Sequence, residues 1–163
     1  MTARRTFLVV LAGALCLPAC GFRLAGTAEL PPSLASIFLE LDNFDERQRA
    51  ALSRTLESAG ATLAPRADEQ AARLRVALKP APDRQLATSA SSGEVVRRVS
   101  RALDFSVRDA GGNFIVAPRT LNQQRDIVLD EDNLLASNRE RDTVASELEQ
   151  ALYEQMLRQL SNL

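Results

Sequence analysis

The sequence predicts an α+β fold in which two helices pack on one face of a mostly antiparallel β-sheet, forming a two-layer sandwich. Three observations predict it. Residues 72–79 and 98–107 alternate apolar and polar side chains with the period of half-buried strands. The run Asp109-Ala110-Gly111-Gly112-Asn113 joins the second of these to another extended segment, as in an antiparallel hairpin. Two further segments, one after Asp45 and one running to Leu163, repeat apolar residues at helical spacing instead. A sheet with one apolar face buries that face and two helical stripes together.

The elements follow in order. Pro31-Pro32 separates the N-terminal segment from Ile37-Phe38-Leu39-Glu40-Leu41, a short apolar run that reads as the first strand. Asp45 with Gln48 three residues later forms a capping box, and the helix it opens carries Leu52, Leu56 and Ala59 on one face before Gly60 stops it. In "ARLRVALK", residues 72–79, Ala72, Leu74, Val76 and Leu78 face one way while Arg73, Arg75 and Lys79 face the other, which predicts a strand with a basic outer face. Residues 80–93, "PAPDRQLATSASSG", have the prolines and small polar residues of a long loop. Val99, Leu103, Phe105 and Val107 then alternate with Arg98, Ser100, Asp104 and Ser106. Phe114 to Val128 reads as a third long strand with a polar centre, "RTLNQQRD", and Pro118 confines it to an edge or a bulge. Ser137 and Glu140 form a second capping box, opening a helix with Val144, Leu148, Ala151, Leu152, Met156 and Leu160 on its buried stripe.

The N-terminus carries a different kind of information. Arg4 and Arg5 precede an apolar stretch of eleven residues, Phe7 to Leu17, broken only by Gly13. That is the length of a signal-peptide hydrophobic region and short of the roughly 20 residues needed to span a bilayer. Leu17-Pro18-Ala19-Cys20 resembles the bacterial lipobox, in which the cysteine sulfur is the nucleophile that takes a diacylglycerol before cleavage. Cys16 fits worse, because it would place Leu15 next to the cut. The expected organisation is a signal peptide over residues 1–19 and one domain over residues 20–163, beginning with lipidated Cys20. Such a chain keeps no free thiol for catalysis, metal binding or a disulfide. Gly21, where Asp would resemble an inner-membrane retention signal, points to export to the outer membrane.

Composition narrows the function. Without histidine there is no histidine-based triad, general base or metal ligand. No glycine-rich phosphate loop or G-x-S-x-G motif occurs, and Ser89, Ser91 and Ser92 have no base beside them. Asp130-Glu131-Asp132 lacks the spaced ligands of a calcium loop. The chain is therefore expected not to be an enzyme and to use no metal or cofactor beyond the diacylglycerol and N-acyl lipid on Cys20. Twenty basic against 21 acidic residues, about −3 after cleavage, argue against nucleic acid.

The start of the expected mature chain, "ACGFRLAG", resembles that of the LptE family of lipopolysaccharide-assembly lipoproteins. Cys20, Gly21, Phe22, Leu24 and Gly26 match, while Ala25 stands where the family usually has Arg. The order of elements is also similar, down to the strand carrying Pro118 and Arg125 and "LLASNRERD" entering the last helix. The resemblance implies an α/β plug inside the lumen of the LptD β-barrel. It implies a part in folding that barrel and in delivering lipopolysaccharide to the outer leaflet. The expected location is the outer membrane, lipid-anchored, facing the periplasm or within the barrel lumen. Relatives carry basic residues where Ser91 and Ser137 stand here, so nearby arginines are the candidates for holding phosphates and carboxylates. Arg84 in the long loop, Arg98 on the polar side of its strand and Arg139 in the first turn of the last helix are expected to gather at one end of the sheet. The alternatives are another small outer-membrane lipoprotein, such as an auxiliary component of an ABC-type lipid transport system, and a carboxylate-dependent periplasmic hydrolase.

Overall fold

A computed structural model describes residues 29–67, 71–89, 93–130 and 132–163. The signal peptide, the lipobox, Cys20, Ser91 and the "ACGFRLAG" match lie outside the described residues. A 3₁₀ turn, Pro32–Leu34, leads into β1 (Ser36–Asp42), followed by α1 (Glu46–Ser58) and a two-residue β2 (Thr62–Leu63). Then come β3 (Ala72–Lys79), β4 (Arg84–Thr88), β5 (Glu94–Arg108), β6 (Phe114–Asp130) and α2 (Leu134–Leu160). β1 is parallel to β2 and β3, and every other pairing in the six-stranded sheet is antiparallel. Both helices cover one face, giving the α+β two-layer arrangement.

Local chemistry explains most of these boundaries. The Asp45 carboxylate accepts from the Gln48 N–H (2.7 Å) while the Asp45 N–H donates to the Gln48 side chain (3.0 Å), closing the expected box. Ala59 caps the helix and Gly60, at φ +90°, takes the left-handed conformation that lets the chain leave. In the hairpin, the Asp109 carboxylate accepts from the Asn113 N–H (2.8 Å), and Gly112 sits at φ +87°. Pro118 lies on β6, where the register with β5 shifts between Val116 and Arg119. This is the edge bulge that a residue without an N–H requires. The polar "RTLNQQRD" segment, which begins immediately after that shift, remains in continuous register with β5 from Arg119 to Asp126.

Two expectations are corrected. Residues 80–93 are not all loop, because Arg84–Thr88 form β4 against the first half of β5. β5 is far longer than β3, so its edge beyond Lys79 offers unpaired backbone that β4 satisfies. All five β4 residues are exposed, so no apolar alternation marks the strand. The second capping box is also displaced. Asn133 is the cap, accepting from the Ala136 N–H (3.3 Å), and α2 begins one turn before Ser137. Ser137 instead donates to the Asp130 carbonyl (2.8 Å), tying the helix to the end of β6.

Candidate functional site

The face of the sheet turned away from the helices carries the charged residues. The basic face expected from Arg73, Arg75, Lys79 and Arg98 is largely neutralised. Arg75 meets Asp42 at 2.8 Å, Lys79 meets Asp104 at 3.0 Å, and Arg98 meets Asp126 at 2.7 Å. Asp126 of β6 stands directly across from Arg98, while Asp42 of β1 and Asp104 of β5 stand diagonally across from Arg75 and Lys79 on the neighbouring strand. The Arg98 pair is bidentate, with Nε and Nη2 donating to the two carboxylate oxygens at 2.7 and 2.9 Å. The Arg98 hydrogen bond holds the Asp126 carboxyl below its ordinary value, and the Asp126 hydrogen bond raises Arg98 in turn.

β3 ends at Lys79 and β4 begins at Arg84, and the gap between them along the same edge of β5 opens a cleft of about 540 Å³. Its lining includes Arg84, Arg98, Ser100, Arg101 and the consecutive amides Asn122 and Gln123. Arg84 and Arg98 stand directly opposite each other in register. Arg98 is committed to Asp126, whereas the Arg84 guanidinium makes no hydrogen bond or ion pair among the described residues. Arg101 is the side chain that the strand pattern concealed. It sits on the helix-facing side between Val99 and Leu103, 3.4 Å from both Asp83 and Glu149. Gln123 also turns toward the helices, donating to Gln155 at 3.0 Å. The cleft thus offers guanidinium and amide donors with a rigid carboxylate partner behind each of two arginines. This is an arrangement for holding anionic or hydroxyl-rich groups by hydrogen bonds.

Of the three predicted ligand residues, the structure brings Arg84 and Arg98 together and leaves Arg139 apart. Arg98 faces away from the helices, and Arg139 belongs to α2 on the opposite side of the sheet. Because α2 starts at Leu134, Arg139 lies in its second turn and not its first. Asn122, Gln123 and Arg101 were absent from the predicted set. Their signal was the polar stretch within β6 and the polar residue at an inward position of β5. Among the described residues, no group of three or more His, Cys, Asp or Glu could hold a metal ion, and no helix is long and apolar enough to cross a membrane.

No protein-family model matches the chain, and no curated protein matches it. Solved structures do share its architecture. A minor lipoprotein from Acinetobacter baumannii is 26% identical with a TM-score of 0.58, over 79% of this chain and 92% of that one. The uncharacterized lipoprotein B from Nitrosomonas europaea superposes with a TM-score of 0.67 at 20% identity, over 86% and 90% of the two chains. Rare lipoprotein B from Shewanella oneidensis gives 0.61 at 16% identity, over 78% and 94%. The protein therefore has the fold of a group of small bacterial lipoproteins.

Proposed function

We propose that this protein is an LptE-like outer-membrane lipoprotein, anchored through acylated Cys20, that fills and helps assemble an LptD-type β-barrel and takes part in inserting lipopolysaccharide into the outer leaflet. The observation that supports the reading is the architecture shared with rare lipoprotein B, an LptE-like fold, in a chain whose residues 20–22 read Cys-Gly-Phe after a stretch that resembles a lipobox. The role is binding and structural and needs no catalyst or cofactor. In this reading the cleft at Arg84 and Arg98 receives phosphate or carboxylate groups of lipopolysaccharide, with Arg84 as the guanidinium available for a new partner.

Affinity purification from detergent-extracted outer membrane, with mass spectrometry of what accompanies the protein, tests the assembly. A barrel of LptD size is the expected partner, and its absence sinks the proposal. Metabolic labelling with a fatty-acid analogue should mark the protein and not its Cys20→Ala variant. For the ligand, Arg84→Glu is expected to weaken lipopolysaccharide binding at least about tenfold, as loss of a charged hydrogen bond implies. Arg98→Glu acts in the same direction, read alongside circular dichroism because it also faces Asp126. Arg139→Glu, on the far side of the sheet, should leave binding unchanged.

A further inference from the structure

A second feature lies at the opposite end of the outer face. Pairing in register across four strands aligns Phe38, Arg73, Arg108 and Phe114 in one row. Two arginines directly opposite each other on neighbouring strands repel, and a sheet ordinarily avoids this unless acids intervene. Neither forms an ion pair among the described residues. Arg73 buries its Nε with no hydrogen-bond partner, an unmet donor of the kind native proteins rarely keep without use. The Arg108 guanidinium lies 3.9 Å above the Phe114 ring and donates to the Gly112 carbonyl at 2.9 Å, which fixes its position. Phe114 is nonetheless 48% exposed. Arg73, Arg108 and Phe114 line a cleft of about 300 Å³ together with Arg75, already held by Asp42, and Glu40, the one carboxylate on its wall.

The row sits where the chain enters the sheet, one residue into β3 and two into β1, beside the hairpin turn. Paired guanidiniums flanked by aromatic rings match the interface of a bilayer, where arginines meet phosphates and aromatic rings lie at headgroup depth. We infer that the Phe38–Arg73–Arg108–Phe114 row binds the phosphate of an anionic glycerophospholipid, giving the anchored end of the protein a second hold on the membrane. Acyl anchoring is stabilised by such a second contact. The choice of a lipid over a soluble phosphate rests on the anchor reading, whereas anion binding by the row does not.

Native mass spectrometry of the full chain, isolated from membranes in neutral detergent, tests this with phosphatidylglycerol and with glycerol 3-phosphate. Wild-type protein should hold phosphatidylglycerol more tightly than glycerol 3-phosphate. Arg73→Gln with Arg108→Gln should weaken the lipid about 25-fold, near fivefold for each charge removed. Phe114→Ala should weaken the lipid and spare glycerol 3-phosphate. If the double variant fails to fold, Arg108→Gln alone, at an exposed position, carries the fivefold test. Undiminished lipid binding in a folded variant overturns the site, and equal binding of the two probes overturns the lipid assignment. Arg84→Glu should leave phosphatidylglycerol binding intact, so failure here is separable from failure at the other cleft.

Discussion

Along α2, Leu152, Tyr153, Met156, Leu157 and Leu160 sink into a core shared with Leu52 and Leu56 of α1, Ile37 of β1, Leu74 and Val76 of β3 and Phe105 of β5. One to three turns earlier on the same helix, Val144, Ala145 and Leu148 meet only Val99, Ile127 and Leu129 of the β5–β6 hairpin. A polar seam divides the two clusters: Arg101 with Glu149, Arg125 with Glu147, and Gln123 with Gln155. The large core is closed by both helices and four strands, β6 included through Val116 and Leu121, whereas the small one rests on one hairpin and one helix. Arg101 and Gln123 belong both to the seam and to the wall of the Arg84–Arg98 cleft. The cleft is therefore built over the less supported half, the end of the stability range from which binding regions are drawn.

Matched truncations in the two clusters give the largest expected effect. Leu152→Ala, fully buried in the large core, should cost about 3 kcal/mol in urea unfolding. Leu148→Ala, nearly as buried, should cost about half as much, because the smaller cluster can collapse around the gap. Hydrogen exchange should then quicken in residues 94–99 and 125–130 without change in β3. Equal losses from the two variants would show a single cooperative core and break the comparison.

The seam comes next. Arg101 is 27% exposed beside Asp83 at 17% and Glu149 at 15%, so removing it leaves two partly buried carboxylates without their cation, each with one remaining donor, the Ser100 N–H and the Gln48 side chain. Arg101→Met is expected to destabilise by about 1 kcal/mol, discounted for that exposure. Adding Glu149→Leu should recover part of the loss, and a double-mutant cycle with no coupling would remove the seam from the account.

The smallest effect is in acid. The Thr120 hydroxyl, at 2.6 Å, and then Lys79 hold the Asp104 carboxyl below its ordinary 3.8, with burial opposing them. A carboxyl depressed in the folded state stabilises above its ordinary value, and the contribution disappears as pH falls through the lower folded value. Asp104→Asn should therefore lose under about 1 kcal/mol at pH 7 and show a shallower decline in stability below pH 4. A decline as steep as wild type would place the acid sensitivity elsewhere.

The parts legible in the sequence were those where one local rule acts alone. Asp45 and Gln48 closed their box, the glycines made their turn, and the stripes of Leu52 and Leu56 and of Leu148, Leu152 and Met156 met the apolar sides of β3 and β5. β4 was illegible because an edge strand exposed on both faces carries no alternation, and its pairing is decided by the length of β5. Asn133 was masked as a cap because Leu134 and Leu135 after it are exposed and form no part of a buried stripe. In the cleft, strand parity placed Arg98, while the approach of Arg84 depended on that unforeseen pairing. The separation of Arg139 from Arg84 and Arg98 depended on which face of the sheet the last helix covers. The neutralising acids, Asp42, Asp104 and Asp126, are strand neighbours that only register reveals.

The hairpin that supports the small cluster also bears on the order of assembly. β5 and β6 are joined by the shortest connection between any two long strands here, and they pair over almost their whole length. Closing that loop costs little chain entropy, whereas β3 joins the sheet only through β5, and β1 in turn must wait for β3. The expected sequence of events seeds the structure in its C-terminal half and adds the N-terminal strands last. In the proposed lipid-anchored form, the portion beside the tether would be the last to acquire its shape, leaving the arginine row unformed until the rest of the sheet exists to align it.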